Sequence, residues 1–143
     1  MAGNRRRLRT QVKRAGCPPG LLAYIDGHPV GWCALAPKSC YPRVVLSRST
    51  GANVDGVWAI TCFVVRVGWR KKGVGRALVE GAIDWARRSG ASLVEAYPVD
   101  VSERKGLSSD ELFHGALSTF LNLGFVEVER PSRARAVVQL RMP

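Results

Sequence analysis

The stretch VWAITCFVVRVGWRKKGVGRALVEGAIDWARR, residues 57–88, joins three patterns. Residues 57–66 form a nearly continuous apolar run, which is typical of a strand buried on both faces. From Gly75 to Arg88, apolar residues recur at helical spacing, and charged residues follow one another at i, i+4 on the opposite face. Between the two runs lies a basic loop that contains Gly73. The stretch therefore predicts a buried strand, a glycine-containing loop and an amphipathic helix.

The loop predicts an anion-binding site at the start of this helix. Backbone N–H groups are unpaired at a helix N-terminus, and glycine removes the Cβ atom that would block close approach. A Walker A loop is excluded because no Gly-Lys-Ser/Thr follows at the required spacing. The dinucleotide fingerprint is excluded because Leu78 stands where it needs a third small residue. The residues alone leave two alternatives, a phosphate site and a structural glycine turn.

The rest of the chain predicts one α/β domain. A basic helix is expected at about 4–15, with Asn4 as its N-cap. A hairpin is expected at 21–37 around Asp26-Gly27, and a strand at 92–99 has Glu95 and Tyr97 on one face. A capping box at Ser108 and Glu111 predicts a helix to about Leu123. Two final strands are expected at 125–130 and 135–141.

Composition limits the function classes. The chain has 143 residues, of which 46% are hydrophobic and 23% charged, as in one soluble globular domain. Its net charge of +11 favours anionic ligands, although no DNA- or RNA-recognition motif is present and nucleic acid is not the expected partner. The longest apolar run is too short to span a bilayer, and the N-terminus has no apolar signal region, so we expect a cytoplasmic protein without a membrane partner.

The cysteines predict reduced thiols and no metal. Cys17, Cys33, Cys40 and Cys62 show no CxxC spacing and no accompanying histidine pair, which disfavours a structural zinc site. Cys33 and Cys62 stand in apolar runs and are expected to be buried.

The pattern Arg70-x-x-Gly73-x-Gly75 resembles the signature of the GNAT acyl-CoA N-acetyltransferases. The strand before it and the helix after it match that family, as do the segment ALSTFLNLGFVEV (116–128) and the hairpin YIDGHPVGWCAL (24–35). The resemblance covers roughly residues 20–142. It implies a single GNAT-like domain over 1–143, in which 1–19 form the basic helix and a linker. The implied fold is α/β (α+β), with a mixed, mostly antiparallel sheet flanked by helices that lacks the usual first strand.

The resemblance also implies a function, transfer of an acetyl group from acetyl-CoA to the amine of an unidentified small-molecule or protein acceptor. Carried over by position, the backbone of Phe63, Val64 and Val65 would bind the pantetheine arm. The loop and helix start would bind the pyrophosphate, through Arg70, Lys71, Lys72, Gly73, Val74, Gly75 and Arg76.

The chain departs from the family pattern at the usual proton donor. Family members often have a tyrosine four residues before the Gly-Phe pair, and this chain has Phe120 there. The frequent asparagine seven residues earlier is Phe113. Tyr97 is the first substitute as general acid, with Ser118 and His114 as weaker ones, and Glu95 is the candidate general base, directly or through water.

Two further expectations follow from these departures. The short front of the chain implies either a reduced family member or one whose acceptor side is closed by another subunit, as in a homodimer. The missing tyrosine and the net charge leave an alternative function, a non-catalytic CoA-binding or nucleic-acid-binding regulatory module on the same fold.

Overall fold

The structure is a computed structural model that describes residues 2–14, 18–47, 54–103, 106 and 115–143. The described strands form one six-stranded sheet in the order β1-β2-β3-β4-β6-β5. Their bounds are β1 Gly20–Ile25, β2 His28–Pro37, β3 Val57–Val65, β4 Leu93–Ala96, β5 Val126–Ser132 and β6 Arg135–Arg141. The β3–β4 pair is parallel and the other neighbouring pairs are antiparallel, so the predicted mixed, mostly antiparallel sheet is confirmed.

The described helices are α1 Ala2–Arg14, α2 Pro42–Val45, α3 Val74–Arg88 and α4 Leu117–Asn122. A 3-10 turn, Lys38–Cys40, connects β2 to α2, and a second one spans Val101–Glu103. None of these helices is long and apolar enough to cross a membrane. α3 carries the chain from β3 to the parallel strand β4, the crossover that parallel neighbours require.

The core lies between the sheet and α3. Leu78, Val79, Ala82 and Ala86 of α3 pack in one buried cluster with strand residues such as Leu35, Ile60, Val94 and Val138. In the strands, residues alternate between this face and the opposite one. Trp32, Ala34, Ala36 and Glu95 therefore share the sheet face that points away from α3.

The predicted burial of β3 on both faces holds only for its first half. Val57 to Ile60 are buried, and Trp58 to Ile60 pair with both β2 and β4, whereas the pairing with β4 ends at Ile60 and Ala96. Beyond that point β3 continues beside β2 alone, and Val64 is 54% exposed. The apolar sequence of β4 predicted a longer strand over 92–99, but regular pairing stops at Ala96.

Most of the other sequence predictions agree with the described residues. The hairpin turns at Asp26 and Gly27, both with positive φ, and the two final strands lie where they were expected. The basic helix begins at Ala2, so the prediction that Asn4 caps it is wrong. The Ser108–Glu111 capping box lies outside the described residues, but the prediction of one helix from there to Leu123 is wrong, because Ala116 is extended and α4 begins at Leu117.

An ion-pair cluster fastens the β5–β6 hairpin to the segment after β4. The guanidinium of Arg130 makes two hydrogen bonds to the carboxylate of Glu127, at 2.6 and 2.8 Å, and one to Asp100 at 2.9 Å. Hydrogen bonds from Ser102 and Arg130 hold the pKa of Asp100 below its ordinary value of 3.8. The hydrogen bond from Arg130 likewise lowers the pKa of Glu127 from 4.5.

Gly31 is required where α3 crosses β2. A Cβ atom at Gly31 would lie 2.7 Å from Val74 Cγ1 and 3.3 Å from the Val64 carbonyl oxygen. We expect Gly31→Ala to lower the free energy of unfolding by about 1–3 kcal/mol because the helix must shift away from the sheet. Gly81→Ala, inside α3 with its nearest contact at 3.6 Å, should raise that free energy by about 0.5–1 kcal/mol. Urea unfolding of both variants measures the difference, and equal effects would contradict the close approach at Gly31.

The Arg130 cluster predicts a pH dependence of stability. Carboxylates with a lowered folded-state pKa stabilise the fold above their unfolded pKa, and this contribution is lost as the pH falls through the folded value. Between about pH 6 and pH 3, the melting temperature of the wild type should therefore fall more steeply than that of Arg130→Met. Arg133→Met is the matched control, since Arg133 is 92% exposed and lies 3.4 Å from Glu103. Parallel curves for the wild type and Arg130→Met would show that the cluster contributes nothing.

Candidate functional site

The free edge of β3 is the first feature of the site. The Arg66 amide donates to the Val30 carbonyl at 2.8 Å. This bond shows which residues of β3 direct their backbone groups towards β2 and which direct them away. In an antiparallel pair, alternate residues direct their N–H and C=O groups away from the partner strand. The backbone groups of Phe63 and Val65 therefore point into the gap left where β4 stops. An extended ligand could add to this edge as a strand does.

A cavity of about 110 Å³ lies beside this edge. Phe63 and Val65 form one wall, and Gly75 and Val79 of α3 form the second. The third wall comes from the segment that leads into α4, where Val99 is bonded to both Gly115 and Leu117. Gly115, Ala116, Thr119 and Phe120 line that wall. The cavity is thus enclosed by a strand edge, the start of one helix and a second helix.

The mouth of this cavity holds the basic glycine loop. Gly73 lies before the first residue of α3 with φ of 80°, a left-handed conformation that glycine adopts without strain. A Cβ at Gly75 would meet no atom within 4 Å, so the space in front of the helix is open. The first turn of α3 contains no acidic residue, and its positive dipole end is therefore not neutralised by its own sequence. The predicted anion site has the required geometry.

The basic side chains around the loop have different surroundings. Arg70 donates from Nε to the Val65 carbonyl at 3.3 Å, which folds the loop back onto the end of β3. Lys72 lies over the ring of Trp69, 5.2 Å from its centroid. Arg76 is paired with Glu80 at 3.0 Å, one helical turn further on. Lys71 is exposed and has a positive φ of 58°.

Phe120 forms the closed end of the cavity. Its ring is fully buried and makes edge-to-face contacts with Phe63, at a centroid distance of 6.0 Å, and with Phe125, at 5.2 Å. Such aromatic pairs stabilise a packed core and offer no exchangeable proton. The position at which a tyrosine was expected is therefore part of the apolar wall.

Glu95 and Tyr97 form a hydrogen-bonded pair on the sheet face opposite α3. Tyr97 donates from its hydroxyl to Glu95 Oε1 at 2.7 Å. Lys38 Nζ lies 2.9 Å from the same oxygen, and Gln139 donates to Oε2 at 2.7 Å. Glu95 is only 1% exposed, so both oxygens of a buried carboxylate are engaged by neighbours. This arrangement disfavours direct contact between Glu95 and a substrate.

Tyr97 is the first residue beyond the paired part of β4, where the gap beside β3 opens. Burial raises its pKa strongly, with further contributions from the charge of Glu95 and from their hydrogen bond. The nearby Tyr41 also has a raised pKa, chiefly because it is buried, while a hydrogen bond from Thr61 acts in the opposite direction. Both phenols are consequently protonated at neutral pH.

Lys38 and Gln139 were not identified from the sequence. Lys38 follows Pro37 in a segment without a motif, and its partner is 57 positions away along the chain. The one available signal was Glu95 itself, since a carboxylate in an apolar strand must find a partner when buried. Of the weaker candidates, Ser118 is exposed and His114 lies outside the described residues, as does Phe113.

The thiols and the acidic residues suggest no further chemistry at this site. Cys33 is fully buried, and burial together with the neighbouring Cys62 raises its pKa to about 12. Cys62 is half-buried, not buried as expected, because it lies beyond the end of the β4 pairing. Within the described residues, no group of His, Cys, Asp and Glu side chains could hold a metal ion.

Comparisons with known proteins identify the family and the fold. Residues 4–106 match the model of the acetyltransferase (GNAT) family. A search of curated proteins gave no significant match.

Solved structures with the same fold include acetyltransferases from several bacteria. A ribosomal-protein-alanine N-acetyltransferase from Brucella melitensis is 18% identical, with a TM-score of 0.64 over 99% of this chain and 79% of that one. The protein yncA from Salmonella typhimurium, solved with its cofactor acetyl-CoA, is 18% identical, with a TM-score of 0.65 over 100% and 75%. An N-acetyltransferase from Staphylococcus aureus is 13% identical, with a TM-score of 0.66 over 99% and 77%.

Proposed function

Because the chain belongs to the GNAT family of acetyltransferases, we propose that it transfers an acetyl group from acetyl-CoA to an amine. The observation that carries this proposal is the free edge of β3 beside an open helix N-terminus. A strand edge and an anion site at opposite ends of one cavity suit a ligand with an amide-bearing arm and a pyrophosphate.

The coenzyme would extend from the gap to the loop. Its pantetheine arm would pair with the backbone of Phe63 and Val65 and run alongside Val64, whose own backbone groups face β2, and the Val65 amide would serve the thioester carbonyl as an oxyanion donor. The backbone groups of Arg70 to Gly75 would bind the pyrophosphate. The exposed cations Lys71 and Lys72 would add positive charge. Arg76 would also contribute, either by breaking its ion pair with Glu80 or by contacting Glu80 and the pyrophosphate together.

Proton transfer would use Tyr97 together with Glu95. Tyr97 alone is a weak acid for this task, because its pKa is raised while a thiol titrates near 8.5. A relay removes the difficulty. When the amine proton passes to the Tyr97 oxygen, the original tyrosine proton passes to Glu95, and the reverse movement returns a proton to the coenzyme A sulfur. The relay ends in its starting state, and the net products are the amide and free coenzyme A.

Gly75 provides a test of the coenzyme position. Gly75→Leu introduces a side chain into open space in front of the helix, so the fold should be retained while the anion site is filled. Loss of charge-assisted hydrogen bonds should weaken acetyl-CoA binding roughly tenfold or more. Isothermal titration calorimetry measures this affinity, with Gly81→Ala, in the same helix, as control. Equal affinities in the two variants would refute the placement of the pyrophosphate.

Tyr97 provides a test of the relay. Tyr97→Phe should lower kcat by roughly 100-fold or more, because general acid–base catalysis contributes that much, while acetyl-CoA affinity stays unchanged. Tyr24→Phe, on the edge strand β1 with Tyr24 58% exposed, is the matched control. Thiol release against a panel of amines measures turnover. Full activity of Tyr97→Phe would remove Tyr97 from the mechanism, and coenzyme binding without turnover by the wild type would favour a CoA-binding regulatory module.

A further inference from the structure

Lys38 is a buried cation that has no role in the proposed proton relay. It lies in the 3-10 turn between β2 and α2, and its side chain is 1% exposed. Lysine is seldom buried to this extent unless it is paired, since its ammonium group loses its hydration. Its contact with Glu95 Oε1, at 2.9 Å, provides such a pair. The question is whether the pair only fastens the turn to the sheet or also controls the chemistry of Glu95.

The hydrogen bonds around Glu95 indicate that Lys38 also controls the chemistry of Glu95. Lys38 and Tyr97 approach the same oxygen, and Gln139 holds the other one, so the carboxyl group has a fixed orientation. Three donor groups, on Lys38, Tyr97 and Gln139, face the Glu95 oxygens, and a carboxylate can only accept hydrogen bonds. The hydroxyl hydrogen of Tyr97 is thereby directed towards Glu95. The lone pairs of the phenol oxygen then remain for a group outside the network.

We propose that Lys38 is a positioning residue for proton transfer: it keeps Glu95 as a carboxylate and so keeps Tyr97 oriented to accept the proton of the acceptor amine. This inference rests on the proposed function, because it needs an amine beside Tyr97. A Glu95 carboxyl group that carried a proton of its own would reverse this hydrogen bond. It would then donate to Tyr97 and could not take the tyrosine proton.

The proton balance follows from this arrangement. One N–H bond of the amine breaks and one O–H bond forms at Tyr97, while the former Tyr97 proton binds Glu95 Oε1. The Lys38 ammonium keeps all its protons throughout. Its charge makes the protonated form of Glu95 less stable, which favours the return of the proton through Tyr97 to the thiolate.

The groups that the described part of the chain places around this network come from three elements. The 3-10 turn supplies Lys38, β4 and its end supply Glu95 and Tyr97, and β6 supplies the neutral Gln139. Tyr41 lies near Tyr97, and three cysteines lie near Tyr41: Cys33, Cys40 and Cys62. Lys38 is the cation in direct contact with Glu95, so its removal should have a distinct effect on the pH profile.

The test compares kcat/KM against pH in four proteins: the wild type, Lys38→Met, Lys38→Arg and Gln139→Met. Lys38→Met should move the acidic limb of the profile to higher pH by roughly 1–3 units, because a neighbouring opposite charge is lost. Lys38→Arg should keep the wild-type limb, since the charge is retained. Gln139→Met removes a neutral hydrogen bond to the same carboxylate and should move the limb in the same direction, but by less than Lys38→Met does.

A second measurement does not depend on turnover. The ¹³C signal of the Glu95 carboxyl carbon, assigned with Glu95→Gln, should change from the carboxylate to the protonated position at a higher pH in Lys38→Met than in the wild type. Lys38→Gln replaces Lys38→Met if circular dichroism shows that the latter is unfolded. An acidic limb that stays in place in a folded, charge-removed variant would overturn the positioning role. A wild type that acetylates no amine would instead overturn the proposed function, and the inference with it.

Discussion

Beyond Ile60 and Ala96, the parallel strands β3 and β4 stop exchanging hydrogen bonds, and the backbone of β3 continues with one free edge. An unpaired strand edge is normally covered or blocked, because it invites pairing with another chain. Here the edge lies beneath α3 and beside α4, so another protein strand has little access to it. A narrow, extended ligand can still reach it along the cavity. The same divergence of β3 from β4 exposes Val64 and leaves Cys62 half-buried.

A β-bulge in β3 helps to make β3 and β4 diverge. Ala34 pairs with Cys62 and Leu35 with Ile60, so Thr61 is an extra residue on β3. Such a residue bends the strand and increases its local twist. It stands directly after the last pair with β4, at the point where the two strands begin to diverge. The bulged residue also bonds to Tyr41, which ties the diverging strand to the segment that carries Lys38.

The sequence predicts the parts of the site that depend on local spacing. The period of 3.6 placed the apolar residues of α3 on one face, and the glycines predicted an open helix start. The period of 2 placed Glu95 and Tyr97 together. The end of the β4 pairing was not predictable, because SLVEAYPV remains apolar beyond Ala96. The local sequence also does not indicate where a neighbouring strand diverges. The Lys38–Glu95 contact was equally hidden, since it joins two segments that only the sheet brings together.

Phe120 and Glu95 together determine which part of the site could supply a proton. The ring of Phe120 packs edge-to-face against Phe63 and Phe125 and lines the cavity, so this position supplies no proton. Thr119 of α4 also lines the cavity, whereas the described carboxylate next to the gap is Glu95 of β4, which Lys38 and Gln139 stabilise. A proton donor that is absent from α4 is therefore compatible with catalysis, provided that the proton moves along β4. In the proposed mechanism, the apolar wall would keep water away from the thioester, and Tyr97 would be the hydroxyl that Glu95 serves.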